Sequence, residues 1–231
     1  MELIEALRTT GSIRRFSSRP VADSLLAQLL DHARFAPSGG NRQAWHVIVV
    51  ADAEQRRAVR DLYLTAWYEY TAHLLAGLVP FSPLASDADR RAASEQHAAA
   101  VALSTPDSFA ESLDTVPVML VVCANVAVLA ATDRDLERYH LVGGASIYPF
   151  VWNIVLAARE YGLGGVMTTV ATRNEIALRE VLAIPEPYAV ASVVALGYPL
   201  QRHTRLTRAG VADFTTIDTF DGPAFTATPG T

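Results

Sequence analysis

Three short segments carry the side chains best suited to chemistry. Residues 9–16, TTGSIRRF, set Ser12 just ahead of the pair Arg14 and Arg15. A small hydroxyl beside two guanidiniums can hold a polar, anionic ligand; a solvated arginine pair is the plainer alternative. Residues 37–43, PSGGNRQ, crowd Pro37, Ser38, Asn41 and Gln43 around two glycines. Ser38 and Asn41 can donate and accept hydrogen bonds, and Gly39 and Gly40 permit close backbone approach. A helix-stopping turn closed by Asx bonding would use the same residues. Residues 162–165, GLGG, offer main-chain N–H groups to a ligand or end a helix. They are not a GxGxxG after a strand, so the dinucleotide-binding fingerprint is absent.

What the chain lacks narrows the chemistry further. All 19 basic residues are arginine, so Schiff-base catalysis and a Walker P-loop lysine are excluded. Any bound anion must be held by arginine or by backbone N–H. The net charge of −5 does not suit a general nucleic-acid binder. The single cysteine, Cys123, lies in an apolar run and reads as a buried small hydrophobe, which fits a reducing cytoplasm. Six scattered histidines form no HExxH, and CxxC is absent, so no metal site is expected. The N-terminus carries Glu2 and Glu5 and is no signal peptide. The apolar stretch 116–131 contains Pro117 and Asn125 and is too short to span a bilayer, so no membrane partner is expected.

The elements that must position these segments follow from periodicity. Residues 2–9 read as a short helix. A second helix follows Pro20, capped by Asp23 or Ser24 and stopped by Pro37. WHVIVVAD (45–52) reads as a strand covered on both faces. Residues 54–79 and 87–103 read as helices separated by a proline-rich break, and 104–115 as a loop. A second strand is expected over 116–124. A long helical pattern covers 133–161, where Pro149 requires either a start near Ser146 or a kink. A short extended piece follows the glycines. Thr172 and Glu175 then read as a capping box, and 188–199 as a strand. Beyond 201, only DFTTIDTF (213–220) alternates. It reads as a lone strand whose free edges need a partner, which another subunit's sheet would supply.

Taken together, SIRRF (12–16), ARFAPSGGNRQAW (33–45) and AAREYGLGG (157–165) resemble the FMN-dependent nitroreductase family, over residues 5 to about 200. The resemblance implies an α+β fold: a central, mainly antiparallel sheet flanked by helices. It implies one domain over 1–231, with 63–115 a helical excursion and 201–231 a C-terminal arm exchanged with the partner subunit. It implies a homodimer with FMN at the subunit interface. Ser12 and Arg14 would bind from one subunit, with Arg14 near the pyrimidine edge. Pro37, Ser38, Gly39, Asn41 and Gln43 would reach the neighbour's FMN. The backbone around Gly164 and Gly165 would face flavin N5, and Arg205 and Arg208 would hold the phosphate. The family's basic residue before the serine is missing: Thr10 and Gly11 stand there. Phosphate binding then rests on Arg205 and Arg208, or Thr10 supplies a hydroxyl. The implied activity is ping-pong hydride transfer from NADH or NADPH to a nitroaromatic, quinone or related small acceptor. An FMN-dependent dehydrogenase or oxidase of a biosynthetic metabolite, and a non-catalytic flavin-binding protein, are the alternatives.

Overall fold

The computed structural model describes residues 2–202 and 205–226. Four strands, β1 (Trp45–Val49), β2 (Val118–Asn125), β3 (Gly164–Thr168) and β4 (Tyr188–Gly197), pair in the order β1-β2-β4-β3. Every pairing is antiparallel. The expected mainly antiparallel sheet is therefore present, with β2 and β4 in its middle and β1 and β3 at its margins.

The central strands read as continuous apolar runs because both their faces are covered. Leu120, Val122, Val194 and Leu196 face one core; Met119, Val121, Val193 and Ala195 face the other. The first core is closed by α2 (Asp23–Ala33) and α6 (Tyr148–Glu160). Leu26, Leu29, Val151 and Ile154 supply the packing there. The second is closed by α3 (Ala53–Leu75) and α7 (Glu175–Val181), through Val59, Tyr63 and Leu178. The short helix α1 (Leu3–Thr9) precedes them, and α4 (Asp87–Glu95) and α5 (His97–Ala102) pack on α3.

Local chemistry explains where elements begin and where sequence expectations fail. Asp52 caps α3, its carboxylate accepting from Glu54 N and Gln55 N. Ala22, not Asp23 or Ser24, is the N-cap of α2, and Asp23 is its first helical residue. The helix expected over 87–103 is broken at Gln96. The pattern over 133–161 yields a helix only from Tyr148, with Pro149 in the first turn where its missing N–H costs nothing. Thr172 and Glu175 do not form a capping box. Thr172 Oγ1 donates to Thr169 O, and Glu175 Oε1 accepts from Val190 N. Residues 213–220 are not a lone strand either. Asp221–Pro223 turn the chain back, so that Thr216 bridges Ala224 and Ile217 N donates to Pro223 O. Within the expected arm, residues 203, 204 and 227–231 lie outside the described residues.

One side chain ties the second layer to the sheet. The Arg56 guanidinium donates to three carbonyls: Asp114 O at 2.7 Å, Val50 O at 3.0 Å, and Val116 O. It thereby fixes the end of β1 to the chain entering β2. Burial makes that charge costlier to hold, and Asp114 partly offsets the cost. Arg56→Ala strands three acceptors and is expected to destabilise the fold by about 1.5–3 kcal/mol. Arg56→Lys should recover part of this. Urea unfolding of the three proteins is the check.

Candidate functional site

The segment after α1 is pinned to the outer margin of the sheet. Ile13 N donates to Gly165 O at 2.9 Å, Ser17 N to Tyr198 O at 2.8 Å, and Leu200 N to Arg15 O at 3.1 Å. This close approach explains the first of the two glycines, and the pairing with β4 explains the second. A Cβ on Gly164 would lie 2.8 Å from Ile13 Cγ1, and one on Gly165 would clash with Leu196 Cδ2 and lie 2.8 Å from the Ala195 carbonyl oxygen. Both glycines are buried, and Gly165 O is already engaged. Gly164 makes room for Ile13 of the N-terminal segment, and Gly165 for the neighbouring strand β4.

That segment presents Ser12 and Arg14 as exposed side chains. Gly11 is half-buried beneath Leu206; a Cβ there would lie 3.0 Å from Leu206 Cδ2. The tail therefore passes over Gly11, and the exposed Arg205 flanks that contact. Arg208 is also exposed, its Nη1 donating to Thr207 O at 2.7 Å. Thr10 is buried. Past Gly165, β3 runs to Thr168, whose Oγ1 donates to the Tyr63 hydroxyl at 3.3 Å. Burial raises the Tyr63 phenol above its ordinary value, while the Thr168 hydrogen bond and the nearby Arg14 charge oppose the rise. Arg14, Tyr63 and Thr168 thus share one neighbourhood. From it the α3 aromatics extend outward: Tyr63 on Trp67 at 6.1 Å between centroids, Trp67 on Tyr70 at 5.2 Å. Beyond them lies a cavity of about 520 Å³ bordered by Glu69, His73, Phe81, Arg90, His97 and Arg173.

The second motif sits at the opposite margin. Gly39–Asn41 form one 3₁₀ turn before β1, and three residues of the motif are left-handed: Gly40 (φ 61°), Asn41 (φ 52°) and Gln43 (φ 48°). Asn41 and Gln43 pay for that backbone without glycine's freedom, a strain often found at functional loops. The loop is held from within. Ser38 Oγ accepts from Gln43 N at 3.0 Å, and Gln43 Nε2 donates to Asn41 Oδ1 at 3.3 Å. From outside, Gly39 N donates to Ser146 Oγ at 3.0 Å. Pro37, Asn41, Arg42 and Gln43 are left exposed. β1 and β3 are separated by β2 and β4, so about 14 Å of sheet divides the two motifs. In one chain, Pro37–Gln43 and the Ser12–Arg14 segment do not converge.

Two supporting groups escaped the sequence reading. Tyr63 was visible only as one of several aromatics on α3. Asp133 was hidden in an apparent helical period. Its buried carboxylate accepts from Leu141 N at 2.7 Å, Val142 N at 3.2 Å and Arg138 Nη1 at 2.9 Å. These bonds close the 133–142 loop, which leads directly into the 3₁₀ turn (Val142–Ser146) whose Ser146 holds Gly39. Among the described residues, no group of His, Cys, Asp and Glu is placed to hold a metal, and no helix is long and apolar enough to cross a membrane.

Comparison with known proteins supplies the context for this geometry. The family model for nitroreductases matches residues 7–198. A relative from Archaeoglobus fulgidus, named as an NADH dehydrogenase/NAD(P)H nitroreductase, is 30% identical over 201 residues, covering 86% of each chain. An FMN reductase [NAD(P)H] from Bacillus subtilis is 24% identical over 217 residues, 90% of this chain and 70% of that one. The solved structure of an NADPH:FMN oxidoreductase from Vibrio harveyi, complexed with NAD+, superposes with a TM-score of 0.64 at 21% identity. It spans 94% of this chain and 77% of the other.

Asp133 makes loop support sensitive to acid. Its N–H and Arg138 contacts, the Leu141 N–H first, hold the carboxyl at about 2, below its ordinary 3.8. A depressed folded-state value contributes stability above 3.8 that is lost as pH falls through about 2. Asp133→Asn should be less stable at neutral pH, and its urea midpoint should fall less than the wild type's across that acid window. Urea titrations at stepped pH test both.

Proposed function

The chain belongs to the nitroreductase family, and from that premise we propose that it is an FMN-dependent oxidoreductase drawing hydride from NADH or NADPH. The observation that carries the proposal is the division of the two ligand-facing motifs between opposite margins of one sheet. Each half displays polar groups with little to do inside its own chain. Arg14 is exposed and forms no ion pair among the described residues. The loop spends strained backbone to present Asn41 and Gln43. A cofactor bound between two subunits would use both halves.

The residues present fit FMN. Ser12 and Arg14 would hold it from one subunit, and the partner subunit's Pro37–Gln43 loop would close over it. Arg205 and Arg208, on the tail that crosses Gly11, would meet its phosphate. Bound FMN supplies the redox chemistry, accepting hydride from a nicotinamide and passing electrons to a nitroaromatic, quinone or related acceptor in a ping-pong cycle. The protein positions, charges and shields. The Arg14 guanidinium favours negative charge on the ligand edge beside it, through a charge-assisted contact. Because Gly164 and Gly165 are buried, we assign main-chain contact with the reactive edge to the chain leaving β3, at the half-buried Thr168 and the exposed Thr169. The aromatic face of α3 excludes water on that side.

A homodimer follows from the same reading. α1 leaves Leu3, Ile4 and Leu7 exposed, and the tail leaves Phe214 and Phe220 exposed. Apolar surface of this kind marks an interface. We propose that both are covered by a second copy, in an obligate interface on the order of 2,000–5,000 Å². The arm is exchanged as a short hairpin, not as a single strand.

Flavin binding, flavin reduction and sedimentation test this. The protein should bind FMN and, without oxygen, NADH or NADPH should bleach it. Arg14→Ala should weaken FMN binding by about 1.5–3 kcal/mol and lower the bound flavin's reduction potential, while Ser38→Ala costs about 1 kcal/mol. Fluorescence titration and dye equilibration read these quantities. Absence of FMN uptake overturns the proposal, and FMN uptake without bleaching points to the dehydrogenase or non-catalytic alternative. In sedimentation at low micromolar concentration the protein should run as a dimer. A chain truncated after residue 210 should lose dimer and FMN together. A flavin-loaded monomer would refute the shared site.

A further inference from the structure

The first motif lacks the basic residue that its resemblance leads one to expect, and the fold brings two other arginines to the same place. Thr10 is 7% exposed, and its Oγ1 has no hydrogen-bond partner. The Arg159 Nε is buried and equally unpartnered. Both line a cavity of about 10 Å³ that Gly11, Gly164 and Arg202 also border. Arg159, in the last turn of α6, spends one N–H on Thr9 Oγ1 at 3.1 Å. Arg202 donates to Gly162 O at 3.0 Å and Leu163 O at 3.1 Å. Among the described residues, neither guanidinium forms an ion pair with a carboxylate.

This is a costly arrangement unless a ligand answers it. Two like charges converge behind a buried hydroxyl with its donor unspent. Burial and the proximity of Arg159 both work against the charged form of Arg202. Leaving a buried polar group unsatisfied costs about 1–3 kcal/mol, more when it is charged. A water molecule could answer the hydroxyl, but it would leave the two positive charges facing each other. An anion answers both, accepting from Thr10 Oγ1–H and Arg159 Nε–H while neutralising the pair. The space is oxygen-sized, so the anion's body must lie outside it, towards Gly11 and the tail. A phosphate monoester, with charge near −2 and three acceptor oxygens, matches this demand better than a carboxylate. Arginine is also suited to phosphate through its fork of donors.

We propose that Thr10, Arg159 and Arg202 form an inner phosphate subsite for FMN, replacing the motif's missing basic residue. The proposal rests on the FMN reading above and adds an inner layer behind Arg205 and Arg208. Its discriminating property is the preference for FMN over riboflavin, which differ only in the phosphate.

The test compares binding of the two flavins to wild type, Arg159→Gln, Arg202→Gln and Thr10→Val by fluorescence quenching. Wild type should prefer FMN. Each arginine variant should lose at least tenfold in FMN affinity with riboflavin affinity unchanged, and its FMN affinity should depend less steeply on salt. Thr10→Val should lose less, and Arg202→Lys should keep part of the preference. Unchanged riboflavin binding also shows that the variants fold. If wild type binds FMN and both arginine variants retain its full preference over riboflavin, this assignment fails while the FMN reading stands. If wild type binds neither flavin, both fail.

Discussion

Burial of β2 and β4 on both faces is the constraint from which the site follows. A strand closed above and below has no surface on which to bind anything, and its backbone polar groups are spent in the ladder. From Val118 to Ala124 every residue of β2 is buried. Ligand chemistry is thereby displaced to the margins, where chain segments cross strand ends and some main-chain groups remain free. The two margins are occupied by the two polar motifs. A sheet of four strands keeps them apart.

Arginine stands in every Lys/Arg position of this chain, and its donor fork is used structurally. Arg56 gathers three carbonyls from separate segments, and Arg202 caps two at the end of α6. A lysine ammonium lacks the planar geometry to serve such spread acceptors in fixed directions. The arginines that remain unspent are the informative ones. Arg14 is exposed beside a buried phenol, and Arg159 keeps a buried N–H without an acceptor.

Much of the fold was legible because its signals are local. The apolar runs of β2 and β4, the α2 leucines and the stop at Pro37 all follow from period or from proline. The motifs at 12–16 and 33–45 were legible as a pair because order and spacing survive without tertiary knowledge. Other features were not. The helical period before Tyr148 belongs to a loop organised by Asp133, whose partners are backbone N–H groups eight and nine residues on. No side-chain pattern announces such bonds. The alternation at 213–220 concealed a turn, since Gly222 and Pro223 fall just beyond the window. The sites of Arg159 and Arg202 depend on α6 ending beside the N-terminal segment, a contact between residues some 150 positions apart.

The two glycines that open β3 bear on how such a chain would drift over evolutionary time. Gly164 and Gly165 give way to Ile13, Leu196 and a neighbouring carbonyl, and all of these belong to the architecture. A descendant that bound no ligand at all would still have to keep Gly164 to seat its own N-terminus and Gly165 to pair β3 with β4. Asn41, Arg14 and Thr10 carry no such obligation. In a lineage of related chains, then, the glycines report ancestry, and on the reading proposed above those three polar positions report whether the trade is still practised.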